Sequence, residues 1–411
     1  MGRPLEIAIA GCGPAGLSAA LLLHRDGHRV TLFERFETPQ PVGSGLMIQP
    51  TGLAVLEALG LGDQLLGCGA RIDRLLGRAA PSGRIALNVR YAALGTSGGF
   101  GVGVHRASLF RILHEAVTGE GITIETGRTV AGSEPVGNRR RLLFEAGAVA
   151  GPFDLVIDAL GFNSNLAPRV GRSLAYGALW ASLDWPAGAG FDAHALEQRY
   201  RAASVMAGVL PIGLVAGRSR PQTAFFWSLR ADRLEAWRTA GLTAWRTEVL
   251  ALWPEVGPLL DQIADPEQLT FSRYAHRLLP SPIGPALVHV GDSWHSASPQ
   301  LGQGANMALL DSFALALALR SAPDLEAALK LHVRLRGRHI AIYQALSALF
   351  TPVYQSDSRF LPWLRDQVVA PLAWLWPAPQ IQAAMVTGQI GGPLRPLGLS
   401  PATSLLTTAV E

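Results

Sequence analysis

The first 35 residues constrain the fold of this chain more than any other stretch. The apolar run EIAIA at 6–10 predicts a strand, and the turn GCGPAG at 11–16 opens a helix that extends to about residue 26. The run RVTLFER at 29–35 predicts a second strand. A strand, a helix and a strand in this order form a βαβ unit, so the chain begins a parallel sheet that helices cover.

The turn fits the pattern G-x-G-x-x-G, with its glycines at Gly11, Gly13 and Gly16. Such glycines let the backbone turn sharply and approach a pyrophosphate, which then lies at the positive end of the helix. Glu34 ends the second strand, 18 residues after Gly16, where a carboxylate can accept hydrogen bonds from a ribose. Because strand, helix and acid are all in place, a dinucleotide site is favoured over a structural glycine turn. The pattern does not separate FAD from NAD.

A second glycine-rich entrance to a helix comes late in the chain. GDSWHSASPQLGQGAN at 291–306 follows a buried strand, ALVHVGD at 286–292, and opens an apolar helix. Gly302 and Gly304 would let a flat ring approach the free N–H groups of that helix, whose positive end suits the N1/C2-carbonyl edge of a reduced flavin. Asp292 is placed to hold a polyol chain. The alternative is a loop with incidental glycines, and two dinucleotide-type features in one chain argue against it.

This stretch resembles the second FAD motif of the para-hydroxybenzoate hydroxylase family, the single-component FAD-dependent aromatic hydroxylases. The family pattern is G-D-x-x-H-x-x-x-P-x-x-G-Q-G-x-N-x-x-x-x-D. The chain matches it at Gly291, Asp292, His295, Pro299, Gly302, Gln303, Gly304, Asn306 and Asp311. VHRASL at 104–109 is similar to the family's arginine segment, in which Arg106 would face the FAD pyrophosphate and ribityl chain. GSGLMIQPTGLAVLEALGL at 43–61 is similar to a segment that passes near the flavin ring.

The resemblance covers most of residues 1–350 and implies an α/β fold. It implies an FAD-binding Rossmann-like domain (GR2-type), an inserted mixed or antiparallel β-sheet that holds the substrate, and a helical C-terminus. The predicted boundaries are 1–75, 101–169 and 276–330 for the discontinuous FAD-binding domain, 76–100 and 170–275 for the substrate-binding sheet, and 331–411 for the helical C-terminal region.

The resemblance also implies which residues bind FAD. Those residues lie in or beside the motifs and are Gly11, Gly13, Pro14, Ala15, Gly16, Glu34, Arg35, Gly45, Arg106, Val130, Asp292, Pro299, Gly302, Gly304, Ala305 and Asn306. His295 and Asp311 are expected to be structural, and Cys12 is expected to be a small residue in a tight loop rather than a reactive thiol.

The substrate candidates are Met47, Phe226, Trp227 and Tyr274. In the strand AFFWSL at 224–229, Phe226 and Trp227 point to opposite faces, and one of those faces would line the substrate cavity. Ordinary sheet packing is the alternative. No catalytic residue is assigned. Tyr274, His276 and His105 are candidates for a base that deprotonates a phenol, although packed or surface roles are more common for such residues.

The chain departs from the family at its Asp-Gly motif, D-x-x-x-x-x-D-G-x-x-S-x-x-R, which is linked to FAD and NAD(P)H binding. Leu160 stands where the motif has its second aspartate, and Ala167 stands where it has the arginine. Asp158, on the same strand face as Leu160, is one replacement for the aspartate, and Arg169 could replace the arginine only by a local shift. The departure leaves FAD binding in place and puts reduction by NAD(P)H in question.

The activity that the resemblance implies is an FAD-dependent monooxygenase. It would use NADPH or NADH and O2, through a flavin C4a-hydroperoxide, to hydroxylate an electron-rich aromatic, phenolic or quinone-like hydrophobic substrate. The alternative on the same fold is a flavin oxidase, dehydrogenase or double-bond reductase, which Leu160 favours. A flavin halogenase is disfavoured because the W-x-W-x-I-P signature is absent. A flavin-binding partner or sensor without turnover is a further alternative.

Composition limits the partners. A net charge of +4 without a basic run argues against nucleic acid as a partner. Two cysteines cannot form a disulfide framework or a cysteine-rich metal site, and this content fits a reducing cytoplasm. No run of about 18 apolar residues predicts a membrane span. The segment 334–354 places arginines beside an apolar helix, and Trp363, Trp374 and Trp376 follow. Three alternatives explain the composition of this tail: peripheral membrane contact, packing on the FAD domain, or a homodimer contact.

Overall fold

The computed structural model describes residues 3–38, 44–97, 99–145, 147–188 and 190–401. The strands in chain order are β1 (Glu6–Ala10), β2 (Arg29–Phe33), β3 (Gly45–Ile48), β4 (Ala70–Ile72), β5 (Arg74–Ala79), β6 (Ile85–Arg90), β7 (Gly101–His105), β8 (Thr123–Glu125), β9 (Val130–Val136), β10 (Arg139–Phe144), β11 (Val149–Phe153), β12 (Leu155–Asp158), β13 (Arg172–Asp184), β14 (Ala195–Arg201), β15 (Val205–Gly213), β16 (Gln222–Arg230), β17 (Thr270–His276), β18 (Ile283–Gly284) and β19 (Leu287–His289). The α-helices are α1 (Pro14–Arg25), α2 (Pro50–Ala58), α3 (Gly62–Cys68), α4 (Arg106–Gly119), α5 (Leu234–Leu252), α6 (Gly257–Leu260), α7 (Asp292–His295), α8 (Gly304–Ser321), α9 (Leu325–Tyr354), α10 (Phe360–Leu364), α11 (Ala370–Leu372) and α12 (Ala378–Val386).

The main sheet has the order β18-β19-β12-β1-β2-β8, and all its pairs are parallel except the edge pair of β18 with β19. Side chains alternate along β1, so Ile7 and Ile9 face a core shared with α1, α4 and α8. Ala8 and Ala10 face the opposite core, which the three-stranded sheet β11-β10-β9 covers. Burial on both faces explains why the strands of this sheet are continuous apolar runs.

The second large sheet has the order β17-β13-β16-β15-β14-β5-β6 and is antiparallel except for the pair of β14 with β5. One face packs against α5, and the other face packs against residues of β3 and α12. The small sheet β3-β7-β4 lies against β15. The contact is close, because a Cβ at Gly45 would lie 2.6 Å from the Cβ of Ala224, and a Cβ at Gly103 would overlap the carbonyl oxygen of Pro211.

The C-terminal region begins with the long helix α9. Asp324 caps it by accepting a hydrogen bond from the N–H of Ala327 at 2.8 Å. The helix then packs on α8, and short helices follow, with a π-helical turn (Arg365–Val369) between α10 and α11. None of the helices in the described ranges is long and apolar enough to cross a bilayer.

Several predicted elements and boundaries differ from the structure. The spacing of apolar residues at 51–66 predicts one helix, but the structure has two, α2 and α3. A single helical stretch is likewise predicted at 231–263, but α5 ends at Leu252 and is broken at Gly241, whose φ is 78°. The proposed domain divisions after 75 and 330 fall inside β5 and α9. Since the hydrogen bonds of a strand or helix are continuous, divisions before β5 and before α9 are better proposals.

Candidate functional site

The glycine turn after β1 leaves one position open. A Cβ at Gly11 would lie 2.7 Å from the carbonyl oxygen of Ala159, and the φ of Gly11 is 103°. A Cβ at Gly16 would overlap the carbonyl oxygen of Gly11. At Gly13, by contrast, φ is −73° and an added Cβ would meet nothing within 4 Å. The chain itself therefore requires two of the three glycines, and the third suits the close approach of a ligand to the backbone.

Glu34 closes this turn. Its carboxylate accepts hydrogen bonds from the N–H of Cys12 at 3.0 Å and from the N–H of Phe36 at 3.2 Å. Cys12 is buried, and burial together with the charge of Glu34 raises the pKa of its thiol to about 12. The thiol therefore stays protonated and unreactive, as the sequence predicts.

A second set of free backbone donors lies at the start of α8. Gly302 has a φ of 62°, and the helix begins two residues later at Gly304. The first N–H groups of a helix have no partner within it, and a Cβ at Gly304 would meet nothing within 4 Å. The backbone at Gly304 is therefore open to close approach, and its free donors suit the carbonyl edge of a flat ring.

Asn306 lies at the same helix start, but its side chain is engaged inside the protein. Its amide oxygen accepts from the N–H of Gln49 at 2.7 Å. Its amide nitrogen donates to the carbonyl oxygens of Met47 at 3.1 Å and Gly302 at 2.9 Å. Asn306 therefore positions β3 against α8, and only its backbone N–H is left for the predicted cofactor contact.

Asp292 lies beyond the carboxyl ends of the paired strands β12 and β19, where parallel α/β sheets form their ligand cleft. Its side chain is exposed, yet burial by the surrounding protein raises its pKa, while the charges of His295 and Arg106 lower it. Ligands of parallel α/β sheets bind in such a crevice beyond the strand ends.

Three aromatic side chains come together from the adjacent strands β17, β13 and β16 of the second sheet. The Nε1–H of Trp180 donates to the hydroxyl of Tyr274 at 3.2 Å, and the rings of Trp180 and Phe226 are 4.7 Å apart. Burial raises the pKa of Tyr274 to about 12, although Trp180 and Arg106 oppose the shift. The charge of Arg106 acts on both Tyr274 and Asp292, so Arg106 lies near Asp292 and near the aromatic face, which we define as Tyr274, Trp180 and Phe226.

These groups fit FAD. The open backbone at Gly13 and the cation of Arg106 suit a pyrophosphate, and Asp292 suits a polyol. The donors of α8 suit a ring edge that gains negative charge. Within the described parts of the chain, no cluster of three or more histidines, cysteines or acids could hold a metal ion.

Comparison with known proteins gives the same result. Residues 4–147 match the family model described as FAD binding domain. The chain is 28% identical over 346 residues to 3-amino-4-hydroxybenzoate 2-monooxygenase of Streptomyces cremeus, covering 78% of this chain and 80% of the relative. It is 25% identical to 6-hydroxynicotinate 3-monooxygenase of Pseudomonas fluorescens, covering 78% and 84%. The chain contains an FAD-binding domain, and most of its length is similar to FAD-dependent aromatic monooxygenases.

The fold of this monooxygenase is also that of solved flavoproteins. The structure of Klebsiella pneumoniae HpxO complexed with FAD and uric acid superimposes with a TM-score of 0.79 at 20% identity, covering 95% of this chain and 98% of that one. The expected α/β fold, with mixed sheets and a helical C-terminus, is confirmed.

The remaining predicted cofactor residues of the monooxygenase lie in different settings. Arg35 is exposed, with its guanidinium 4.6 Å from the ring of Phe36. Val130 is buried at the start of β9, and its carbonyl oxygen accepts from Asn165 at 3.1 Å. Gly45 is required by sheet packing, as described above. Pro14 begins α1, Ala15 is buried on that helix, Ala305 lies in the first turn of α8, and Pro299 is exposed in a 3-10 turn. Cofactor contacts by these residues stay predictions.

The substrate candidates divide between two faces of the second sheet. Met47 and Phe226 belong to one core, beside Trp180. Trp227 belongs to the other core, where it packs with Trp245 of α5. Because successive side chains of a strand point to opposite faces, Trp227 cannot share the aromatic face, and it is no longer a substrate candidate. Sequence reasoning missed Trp180, although its alternation with Ala178 and Ser182 in β13 places it opposite Phe226.

The two histidine candidates also differ. Nδ1 of His105 accepts from the N–H of Ala107 at 3.0 Å, so His105 caps α4. His276 follows Tyr274 by two residues and shares its strand face. Its Nε2 is buried without a partner in the described structure, and burial and Arg172 lower its pKa. His276 is therefore the better base candidate of the two.

The hypothesis that Asp158 replaces the motif aspartate is wrong. Asp158 is fully buried, and its carboxylate accepts from the N–H of Leu160 at 3.0 Å and from the hydroxyl of Ser164 at 2.6 Å. It also bonds to His289 at 2.7 Å. These contacts occupy the carboxylate inside the protein.

The predicted replacement for the motif arginine, Arg169, is exposed, and the buried cation beside this segment is Arg277. Its Nε donates to the carbonyl oxygen of Val170 at 3.2 Å, and its guanidinium lies 4.9 Å from the ring centroid of Phe162.

A buried polar network holds the second FAD motif in place. Asp311 accepts hydrogen bonds from the N–H of Gly291 at 2.9 Å and from Nε2 of His295 at 2.6 Å. It also accepts from Nε of Arg336 at 2.7 Å. The structure agrees with the expectation that His295 and Asp311 are structural. Sequence reasoning missed Arg336, which reaches this site from α9.

A buried histidine near this network, His332, should make the protein less stable in acid. His332 is fully buried, and neither ring nitrogen has a partner in the described structure. Burial lowers the pKa of His332 to about 4, from 6.5. The unfolded chain therefore binds a proton in this range that the folded chain does not, and stability falls as the pH falls from 6.5 towards 4. Burial acts in the same direction on His339, whose pKa is about 3.

We expect the Tm to decrease as the pH is lowered from about 7 to about 5. In His332→Leu the decrease should be smaller, because one of the groups that cause it is gone. The variant should be at least as stable as the parent at neutral pH, because it buries no unpaired polar group. Thermal unfolding followed by circular dichroism measures both effects. Replacement of the exposed His194 by leucine is the matched control, and an equal pH dependence in all three proteins would contradict the prediction.

Proposed function

We propose that the substrate of this monooxygenase is a small electron-rich aromatic, phenolic or quinone-like ring that lies on the aromatic face. The observation that carries the proposal is the position of Tyr274, Trp180 and Phe226 on one side of the second sheet, where the charge of Arg106 acts on Tyr274 as it does on Asp292. Such a surface packs against a flat apolar ring, and the tyrosine hydroxyl adds one polar contact. By their names, the two relatives act on 3-amino-4-hydroxybenzoate and 6-hydroxynicotinate, which are hydroxylated aromatic rings.

The residues of the chain have separate tasks in this proposal. Gly13 and Arg106 bind the pyrophosphate, and Asp292 orients the polyol. The N-terminal donors of α8 stabilise negative charge on the ring edge. Bound there, FAD supplies the activation of dioxygen for transfer to an electron-rich ring. Tyr274 stays protonated at neutral pH, since its pKa is about 12, and donates a hydrogen bond to a substrate oxygen.

We propose NADPH or NADH as the reductant, although Leu160 and Ala167 depart from the family motif. The test is to mix the holoenzyme anaerobically with each nucleotide and follow flavin absorbance, with and without a panel of phenols and quinols. Bleaching that one compound accelerates supports a substrate-gated hydroxylase. If neither nucleotide reduces the flavin, the result favours the alternative activity, that of an oxidase, dehydrogenase or double-bond reductase on the same fold.

The variant Tyr274→Phe tests the aromatic face. Loss of one hydrogen bond to a substrate oxygen should weaken binding roughly tenfold, since it removes about 1.4 kcal/mol. The measurement is the change in flavin absorbance on titration with whichever compound accelerates bleaching. Tyr176→Phe is the matched control, because the Tyr176 hydroxyl on the same sheet bonds to Asp357 at 2.6 Å and not to the aromatic face. Equal affinities for the two variants would remove Tyr274 from the site.

We also make two proposals about the partners of this chain. The chain is proposed to form a homodimer, and its C-terminal region is proposed to contact a lipid surface.

A further inference from the structure

The C-terminal helices expose an unusual set of large apolar side chains. We define the C-terminal patch as Phe360, Trp363, Val369, Leu372, Trp374, Leu375, Trp376 and Ile381. The exposed fraction is 83% for Trp376, 62% for Phe360 and 61% for Leu375. Ten of the 17 exposed large apolar side chains in the described structure lie between 349 and 381. Isolated exposed apolar residues are ordinary, but a cluster of this kind indicates an interaction surface.

The patch is held in place by the fold and is not a loose tail. On its inner side, Ala383 and Val386 of α12 are buried in the core of the second sheet. Ala370 is also buried. A cavity of about 350 Å³ lies between β6 and these helices, and Trp374 lines it together with Ile85. The apolar surface therefore continues from the patch into a groove beside the edge strand.

The patch contains no charge. The 28 residues between Asp366 and Arg395 include no aspartate, glutamate, lysine or arginine. Asp366 itself pairs with Arg365, and the other nearby acid, Asp357, pairs with Arg230. The stretch 367–394, which carries six of the eight patch residues, can therefore enter an apolar phase without desolvating a charged group.

The rim of the patch is positive. Arg84 donates to Gln367 at 2.6 Å, Arg90 lines the cavity beside Trp374, and Arg359 precedes α10. All three arginines are exposed, and no ion pair is formed by any of them within the described ranges. Tryptophan and phenylalanine surrounded by arginine match the composition of surfaces that enter the headgroup region of anionic bilayers.

We propose that the C-terminal patch docks on an anionic lipid surface. A second copy of the chain is the competing occupant, but a two-fold contact joins the same patch on both copies and would bring the arginine rims together. Charge complementarity therefore favours anionic headgroups. The sequence prediction placed membrane contact on the C-terminal tail, from the helix at 334–354 through Trp363, Trp374 and Trp376. The structure narrows it to α10–α12, because Arg336 on α9 is fully buried against Asp311.

The proposal goes beyond the hydroxylase activity and is tested separately from it. Full-length holoenzyme is sedimented with vesicles of phosphatidylcholine alone and with added phosphatidylglycerol, at low and high salt. We expect binding to the anionic vesicles that salt weakens, since headgroup attraction acts only within about 10 Å at 0.1 M salt. Leu375→Ser/Trp376→Ser should weaken it at least tenfold. Arg84→Gln should weaken it roughly fivefold, as expected for one arginine near the surface.

The control variant is Leu250→Ser, an exposed apolar residue on α5 outside the patch, which should bind as the parent does. Flavin content shows that each variant is folded and loaded. Failure of the parent to sediment with anionic vesicles, or equal binding by the Leu375/Trp376 variant, overturns the proposal. A parent that is dimeric by light scattering, ignores vesicles and becomes monomeric in that variant would assign the patch to self-association instead.

Discussion

Replacement of Gly13 by alanine should remove FAD from the protein and leave the fold intact. The backbone at Gly13 has a φ of −73°, which any residue adopts, and an added Cβ would meet no protein atom within 4 Å. The methyl group would instead occupy the space through which a pyrophosphate approaches the backbone. We expect FAD affinity to fall at least tenfold, which corresponds to about 1.4 kcal/mol of lost binding energy.

Two measurements on the same samples check this result. Flavin fluorescence titration gives the Kd for FAD, and urea unfolding of the apoprotein gives stability. Gly67→Ala is the matched control, because Gly67 is exposed on α3 and also has no atom within 4 Å of an added Cβ. Unchanged FAD affinity in Gly13→Ala would show that the dinucleotide does not lie against this turn. Gly16→Ala, whose methyl group overlaps Gly11, should by contrast damage the fold itself.

Substitution of Asp311 by asparagine should cost about 3–5 kcal/mol of unfolding free energy, because it leaves the guanidinium of Arg336 buried without its counter-charge. Both side chains are fully buried. Burial alone would raise the pKa of Asp311, but His295 and Arg336 hold it well below its usual range. The carboxylate is therefore ionised in the folded protein, and asparagine cannot replace its charge.

Chemical unfolding of the apoprotein measures this effect without a contribution from FAD. Glu115→Gln is the control, since its ion pair with Arg111 on α4 is exposed and should contribute less than about 1 kcal/mol. A loss in Asp311→Asn no larger than in this control would mean that water or another group compensates Arg336. Because the network joins the turn at Gly291 to α8 and α9, the variant should also bind FAD more weakly.

Much of the fold could be predicted because its signals are local. The glycine turn, the strand before it and the helix after it are adjacent in sequence, and alternation or helical spacing predicts their type. The same holds for the second FAD motif. The split of the predicted helix at 51–66 was missed because Gly60, whose φ is 73°, separates two helices that share one apolar pattern.

The site was harder to predict than the fold because its partners lie far apart in the chain. Phe226 and Trp227 are equally aromatic and adjacent, and only the packing of α5 on one face of β16 separates them. Asp158 matched the expected position of an acid, but His289 and Ser164 occupy its carboxylate. No local pattern reveals which polar groups a distant segment will satisfy.

The amino-acid sequence alone establishes the flavin-binding fold and the two backbone cradles, because glycine conformations and helix starts depend on a few neighbouring residues. Only the tertiary structure assigns the aromatic face, the buried pairing of Arg336 with Asp311 and the exposed C-terminal patch. These features depend on which faces of strands and helices meet, and that is set by burial of apolar surface across the whole chain.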